Sequence, residues 1–313
     1  MHARRPPGPP RPPRPSMAPR PAQAPRPEHA QRPPHAPRPQ GGDAGSDAES
    51  RPQAPRRPSD EIRVYGINAC LAVFARRPDD VRKVYLTESR LGVLKPVLAW
   101  CVERRLGYRV VGNDDLDKLT QSQHHEGVCF EVRRRPLLSL TNLLQRLPRP
   151  PKPAVLVWLD GVGNPHNFGA VLRSAANFGV AGVILPRESA LSVSGAALRV
   201  AEGGAEAVPI AQTVPGEDVF GALRNADVAV AATVPRAGET LYGSRLPPRI
   251  AFVLGAEGGG LSQGLIDRSN LHLTIPGSGA VESLNVAASA AVLFGEFYRQ
   301  HVSGGGARPG RPR

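Results

Sequence analysis

Polar side chains able to do chemistry stand in two stretches of the sequence, each beside glycines that follow an apolar run. In the first, Asn167 and Arg173 lie on a helix that an Asn-Pro pair is expected to start, and Arg173 is its one charged residue. In the second, Ser283 and Asn285 stand at the start of a helix expected over 284–300, with Ser283 as its cap. A lone arginine on an apolar helix is usually a surface residue or the partner of a buried acid, but the strand end before this helix favours an anion at the edge of the sheet as the partner of Arg173.

Two glycine-rich turns, 255–260 and 276–279, are a second reason to expect a pocket. Glycine lets the main chain approach a ligand closely, because no side chain blocks it and positive φ is available. Glu257 lies in the first turn, where a carboxylate serves a site or simply holds the turn through main-chain N–H groups. For one such turn, ordinary turn geometry is the simpler interpretation. Two turns beside a helix start, whose N–H groups and dipole face them, favour a binding site.

Two common nucleotide-binding motifs are missing from these turns. A phosphate-binding loop needs Gly-Lys-Ser/Thr after its glycines, whereas Gly260 is followed by Leu261. The dinucleotide fingerprint needs a third glycine, which the stretch after Gly161 and Gly163 lacks. The sequence therefore argues against a nucleoside triphosphate or a dinucleotide as the ligand.

The composition is typical of a basic intracellular protein. With 313 residues, the chain is long enough for two domains whose cores need no disulfides. Its three cysteines stand singly in apolar segments, as expected for buried thiols in a reducing compartment. No secretion signal or membrane-length apolar stretch is found, so we expect a cytoplasmic protein without a membrane partner. The formal charge of +13 indicates a polyanionic partner.

Residues 1–58 differ in composition from the rest of the chain. They contain 18 of the 35 prolines and 11 arginines against 4 acidic residues, a net +7. With almost no aliphatic side chains to bury, they are expected to form a disordered basic tail. Such a tail attracts nucleic-acid phosphates or simply keeps the protein soluble. Residues 303–313 are expected to form a second, short flexible tail.

Residues 59–136 are expected to form a small α/β domain, followed by a linker over 137–153. Helices are predicted at 67–75, 92–105 and 114–119, and strands at 81–87, 108–111 and 127–133. No residue in this domain is expected to be catalytic. His124 and His125 do not indicate a metal site, because adjacent histidines share no face and no third ligand has suitable spacing. We expect them in a surface loop, with or without a nucleic-acid contact.

Residues 154–302 are expected to form a larger α/β domain with a mostly parallel sheet. Its predicted strands are continuous apolar runs, as found in parallel sheets that are covered on both faces. They lie at 154–160, 182–185, 207–211, 227–233, 250–254 and 271–275, with helices near 165–178, 191–200, 217–224, 261–268 and 284–300. Ligands of such sheets bind outside the carboxyl ends of the strands, where both glycine-rich turns are found.

Three segments, NPHNFGAVLRSAANFGV, LGAEGGGLS and IPGSGAVESLNVA, resemble in order and spacing the motifs of SpoU-type RNA ribose 2′-O-methyltransferases. This resemblance implies a SPOUT-class trefoil-knotted α/β domain over about 154–300, and a small ribosomal-protein-like domain that binds the RNA substrate. It also implies S-adenosylmethionine as cofactor, tRNA or rRNA as substrate, and a homodimer with the site near the subunit interface. By motif position, the functional polar residues are Asn167, Arg173, Glu257, Ser283 and Asn285, and the cofactor pocket contains Thr233, Gly255, Ile275 and Leu284.

The implied reaction is attack of a ribose 2′-oxygen on a sulfonium methyl group. The family's suggested base corresponds to Arg173, but a guanidinium stays protonated at neutral pH, so binding a phosphate and stabilising negative charge is our preferred role. Gly277 and Glu282 depart from the family pattern beside the pocket, which leaves the detailed substrate open. The alternatives are a non-catalytic RNA-binding or ribosome-assembly protein of the same fold, and methylation of a base nitrogen.

Overall fold

Two β-sheets, each packed against helices, form the frame of the structure, a computed structural model that describes residues 60–256 and 258–303. All of these residues belong to one compact unit. The expected tail over 1–58, Glu257, and all but the first residue of the expected tail over 303–313 lie outside the described residues. Across the two described ranges, every helix is too short or too polar to cross a lipid bilayer.

The smaller sheet has the strand order β1-β4-β2-β3 and is antiparallel except for the pair β2 and β3. Its elements are β1 (Glu61–Tyr65), α1 (Ile67–Arg76), β2 (Val81–Leu86), α2 (Lys95–Glu103), β3 (Tyr108–Val110), α3 (Asn113–Thr120) and β4 (Val128–Arg133). Short 3₁₀ turns occur at Pro78–Asp80 and Glu88–Arg90. The strand β1 was not expected, although its first four residues alternate between exposed and buried.

The larger sheet has the order β7-β6-β5-β10-β8-β11-β9, and each neighbouring pair is parallel. Its elements are α4 (Leu140–Gln145), β5 (Ala154–Leu159), α5 (Pro165–Asn177), β6 (Gly182–Leu185), α6 (Gly195–Ala201), α7 (Gly204–Ala207), β7 (Ile210–Gln212), α8 (Val219–Asn225), β8 (Ala229–Thr233), β9 (Glu239–Thr240), β10 (Arg249–Leu254), α9 (Gln263–Arg268), β11 (Leu271–Thr274) and α10 (Val286–His301). The expected mostly parallel α/β sheet is confirmed.

The strand β5 shows why a continuous apolar run predicts this kind of sheet. Val155, Val157 and Leu159 pack in one hydrophobic cluster, and the alternate residues Leu156 and Trp158 pack in another on the opposite face. Both faces of the strand are therefore buried, so no polar residue interrupts the run.

The strand expected over 207–211 is wrong at its start, because 204–207 form the short helix α7 and β7 begins at Ile210. The helix packs tightly on α5: a Cβ on Gly204 would lie 2.6 Å from the Leu172 carbonyl oxygen. The boundary between α7 and β7 is therefore set by the close packing that Gly204 allows, and not by the apolar run.

The prediction for His125 is also wrong. This residue is buried, whereas His124 is exposed as expected. The Nδ1 atom of His125 accepts a hydrogen bond from the Gly127 N–H (2.9 Å), and its Nε2 atom lies 3.1 Å from an Asp117 carboxylate oxygen. The imidazole thus fastens the loop before β4 to α3.

Candidate functional site

Three of the expected cofactor residues lie at the carboxyl ends of neighbouring strands. Thr233 is the last residue of β8, Gly255 directly follows β10, and Ile275 directly follows β11. Because β10, β8 and β11 are adjacent and parallel, their ends meet at one edge of the sheet. The Thr233 hydroxyl donates a hydrogen bond to the Val253 carbonyl oxygen (2.6 Å), which ties β8 to β10 at this edge.

The glycines of the turn after β10 leave main chain uncovered at two positions. The Gly260 N–H donates to the Ala256 carbonyl oxygen (3.0 Å), and a Cβ on Gly255 would lie 2.4 Å from the Gly260 carbonyl carbon. Gly255 is therefore required by the fold of the turn itself. At Gly258 and Gly260, both at positive φ, a side chain would meet open space. A ligand at this edge can therefore reach the main chain directly, so the turn fits an adenosine held by main-chain groups.

The first turn of α5 carries Asn167. Asn164 caps this helix as expected, because its Oδ1 atom accepts a hydrogen bond from the His166 N–H (2.8 Å). Asn167 lies three residues further, and its Oδ1 atom accepts a hydrogen bond from Nδ2 of Asn285 (3.1 Å). Two residues separated by 118 positions in the chain thereby meet at the starts of two helices.

The cap of α10 is Asn285, so the expectation that Ser283 caps this helix is wrong. The Asn285 Oδ1 atom accepts a hydrogen bond from the Ala287 N–H (2.9 Å), and α10 begins at Val286. The physical reason is the reach of the asparagine amide, whose oxygen caps α10 while its nitrogen reaches Asn167.

The loop that precedes α10 is exposed over 276–285. Ser283 lies in this loop, and Leu284 has 46% of its surface exposed, so neither is buried in a pocket of this single chain. Glu282, one of the departures from the family pattern, lies 3.8 Å from Arg236 in an exposed ion pair.

Arg173 lies six residues after Asn167 on α5 and is largely exposed. Its Nη1 atom is 2.9 Å from an Oε1 atom of Glu202, which follows the last residue of α6. Sequence reasoning missed Glu202 because the contact depends on how α6 ends. The only local signal is an acidic residue between a helical run and two glycines.

Asp160 is a second carboxylate that sequence reasoning left without a role. It directly follows β5 at the same edge of the sheet, and its N–H donates to the Leu254 carbonyl oxygen (2.8 Å). Partial burial raises the pKa of Asp160 above its usual value. The available signal was an acidic residue that ends an entirely apolar strand.

A parallel sheet with an open glycine turn and two helix starts at its carboxyl edge defines an α/β protein with a ligand site at its strand ends. Comparison with known proteins agrees: the SpoU rRNA Methylase family profile matches residues 154–295. The profile for RNA 2′-O ribose methyltransferase substrate binding matches residues 63–137.

Individual relatives extend over most of the chain. It is 33% identical over 240 residues to the 23S rRNA (guanosine-2′-O-)-methyltransferase RlmB of Nitrosomonas europaea, covering 76% of this chain and 91% of that protein. It is 36% identical over 249 residues to the uncharacterized tRNA/rRNA methyltransferase YfiF of Escherichia coli O157:H7, covering 79% and 70%. This chain belongs to the SpoU methylase family, as its three motifs indicated.

A solved structure gives the same fold. The SpoU methyltransferase AviRb from Streptomyces viridochromogenes, in complex with the cofactor AdoMet, superimposes with a TM-score of 0.63 at 23% identity. The match covers 78% of this chain and 91% of that chain.

Proposed function

We propose that this chain transfers a methyl group from S-adenosylmethionine to a ribose 2′-hydroxyl of ribosomal or transfer RNA. The observation that carries the proposal is the contact between Asn167 and Asn285, beside the edge where three strand ends and an open glycine turn meet. The named activities of the relatives support it, since they include guanosine-2′-O methylation of 23S rRNA.

The residues at the sheet edge fit the cofactor. The main chain at Gly258 and Gly260 is open to a ligand, and Thr233 and Ile275 lie at the ends of neighbouring strands. Leu284 would join them once the exposed loop over 276–285 is covered. When bound, the cofactor would supply an electrophilic sulfonium methyl group to the ribose oxygen and leave as a neutral thioether, and the hydroxyl proton would pass to water.

The chain's own residues then need only position the ribose and stabilise charge. Asn167 and Asn285 present amide groups that orient the ribose hydroxyl, and Arg173 binds a neighbouring phosphate and stabilises the negative charge on the attacking oxygen. We assign Ser283 and Glu257 to holding the two loops on either side of the substrate. A guanidinium remains protonated at neutral pH, so Arg173 is not assigned as the base.

We further propose that residues 59–136 bind the RNA substrate, that 137–153 connect the two domains and that 154–302 carry the catalytic site. Two arginines on the paired strands β1 and β4 support an RNA-binding surface. The side chains of Arg63 and Arg133 are 49% and 60% exposed. The basic composition of 1–58 would add electrostatic attraction that depends on salt.

We also propose a cytoplasmic homodimer in which the catalytic domain has the knot typical of its class. Exposed apolar side chains support a subunit interface: Val281 and Leu284 precede α10, and Tyr298 lies on it, with 70%, 46% and 37% of their surfaces exposed. A partner subunit over this surface would bury apolar area and cover the exposed loop beside the cofactor turn. Sedimentation of the purified chain measures its mass directly.

The function is tested by two measurements on the full chain. Titration calorimetry with S-adenosylmethionine is expected to give saturable binding, and nucleoside mass spectrometry of RNA from cells with and without the gene is expected to differ by one 2′-O-methylnucleoside. Asn167→Ala is expected to retain cofactor binding and fail to restore the modification. Absence of both binding and modification would favour a non-catalytic RNA-binding protein of the same fold.

A further inference from the structure

We propose that Glu202 is a positioning residue, which holds the guanidinium of Arg173 and connects it to helix α1 of the smaller domain. The inference rests on the proposed function and extends it. Glu202 has one carboxylate oxygen for each partner: Oε1 is 2.9 Å from Nη1 of Arg173, and Oε2 accepts a hydrogen bond from Nδ2 of Asn68 (3.4 Å). Asn68 lies in the first turn of α1.

The backbone places this carboxylate between the two helices. Glu202 has left-handed backbone angles, φ 46° and ψ 45°, which glycine and asparagine adopt more readily than glutamate. Gly203 follows at φ 92°, and a Cβ there would lie 2.7 Å from the Cβ of Ala72 on α1. The chain therefore makes its turn from α6 to α7 against α1, and the residue at the turn carries a charge toward Arg173.

The ion pair between Arg173 and Glu202 can orient the arginine side chain, but it adds little to the stability of the fold. The Arg173 and Glu202 side chains are 59% and 33% exposed, and exposed ion pairs add little to folding stability. A guanidinium has five N–H donors, so one ion pair leaves others for a substrate phosphate. A carboxylate that is itself held by Asn68 restricts the rotamers of the long arginine side chain. Contact of RNA with the smaller domain would then be transmitted to Arg173 through α1.

An exposed ion pair far from Arg173 in the sequence serves as the control for the pair of Arg173 and Glu202. Asp218, at the start of α8, lies 2.9 Å from Arg268, with side chains 63% and 59% exposed. We expect Glu202→Ala to raise the KM for RNA about fivefold and to lower the single-turnover rate constant less than threefold, with Kd for S-adenosylmethionine and Tm unchanged. Asp218→Ala is expected to leave the KM and the rate constant unchanged. Asn68→Ala should raise the KM by a smaller factor, and Glu202→Asp should recover part of the loss. In an Arg173→Ala background, Glu202→Ala should have no further effect.

A readout independent of catalysis separates this inference from the proposed function. The side-chain Nε–H signal of Arg173, assigned by its loss in Arg173→Lys, should broaden or shift toward the free-arginine position in Glu202→Ala and stay unchanged in Asp218→Ala. An Arg173 signal that is the same in wild type and Glu202→Ala overturns the inference, whether or not the chain methylates RNA. A wild-type chain without methyl transfer overturns the function, and the nuclear magnetic resonance result then still decides whether Glu202 holds Arg173.

Discussion

At the scale of single residues, Asn285 combines two tasks that substitutions can separate. Its Oδ1 atom caps α10, and its Nδ2 atom donates to Asn167. Asn285→Asp keeps the capping oxygen and loses the donor, whereas Asn285→Ala loses both. We expect Asn285→Asp to unfold near the wild-type midpoint and to transfer methyl groups at least tenfold more slowly. Asn285→Ala should in addition lose about 1 kcal/mol of stability. Equal stability losses in the two variants, measured by thermal unfolding, would contradict the capping role.

Arg173 allows a test of the electrostatic role against the role of a base. Arg173→Lys retains a positive charge but loses the planar set of donors that binds phosphate in two places. We expect the single-turnover rate constant to fall less than threefold while the KM for RNA rises about tenfold, and the KM should respond less steeply to salt. Single-turnover kinetics at several salt concentrations measure both quantities. Loss of the rate constant with intact RNA binding would instead support a base.

Asp160 predicts a dependence of stability on pH. Burial raises its pKa in the folded chain, so the folded state binds more protons than the unfolded state between the two pKa values. Stability from this residue is therefore fully present below the unfolded pKa and is lost as the pH rises through the folded pKa. Asp160→Asn removes the charge and should raise Tm at pH 7.5 by about 1–3 °C. The difference in Tm between Asp160→Asn and the wild type should shrink as the pH is lowered. A Tm difference that stays constant with pH would contradict the effect of burial on Asp160.

At the scale of elements, glycine has opposite effects in two helices. A Cβ on Gly169 in α5 would lie 2.5 Å from the Ala197 carbonyl oxygen of α6, whereas Gly264 in α9 has open space there. Gly169→Ala should destabilise the chain by about 1–3 kcal/mol, because two helix backbones must separate. The matched change Gly264→Ala should stabilise it by about 0.5 kcal/mol through helix propensity. Chemical denaturation measures both, and a gain in stability at Gly169 would mean that α5 and α6 are less closely packed.

The same packing explains which elements could be predicted from the sequence. The strands β5, β6 and β10 were placed within one residue, because burial of both faces leaves a continuous apolar run. The two exposed residues of β9 carry no such signal. The helix α7 depends on Gly204 fitting against α5, and glycine by itself argues against a helix.

For the candidate site, Thr233, Gly255 and Ile275 were expected from the resemblance to the family's motifs, and the apolar runs placed each at or near the end of a strand. That their three strands are neighbours was not predicted, because an apolar run carries no information on strand order. The ion pair between Arg173 and Glu202 could not be predicted. It depends on a left-handed residue between two short helices, and no periodic pattern encodes that turn.

At the scale of the whole molecule, one nearly buried ion pair joins the end of α1, in the smaller domain, to α7, in the larger one. Arg77, directly after α1, donates from Nε and Nη2 to the two carboxylate oxygens of Glu206 on α7, both at 2.8 Å. Their side chains are 10% and 4% exposed. Burial alone would lower the pKa of Arg77, but its hydrogen bonds to Glu206 and Asp80 more than offset this, so the pKa is raised. The guanidinium therefore stays charged inside the interface and depends on its partner.

Removing Glu206 alone should lower the free energy of unfolding by more than the ion pair contributes to it. Glu206→Ala removes the two-oxygen partner of a nearly buried guanidinium and leaves it Asp80 (3.4 Å) and the Arg133 carbonyl oxygen (2.8 Å). We expect a loss of about 3 kcal/mol, or roughly 6–12 °C in Tm. The double variant Arg77→Leu/Glu206→Leu should recover at least half of this loss, because two apolar side chains need no desolvation of charge. As a control, Asp79→Ala removes an exposed ion pair with Arg104 (3.5 Å) and should shift Tm by less than about 2 °C. Calorimetric scans of Arg77→Leu, Glu206→Leu and the double variant measure whether the two side chains depend on each other. If the two single losses simply add in the double variant, the side chains act independently, and the interface is held by its apolar contacts instead.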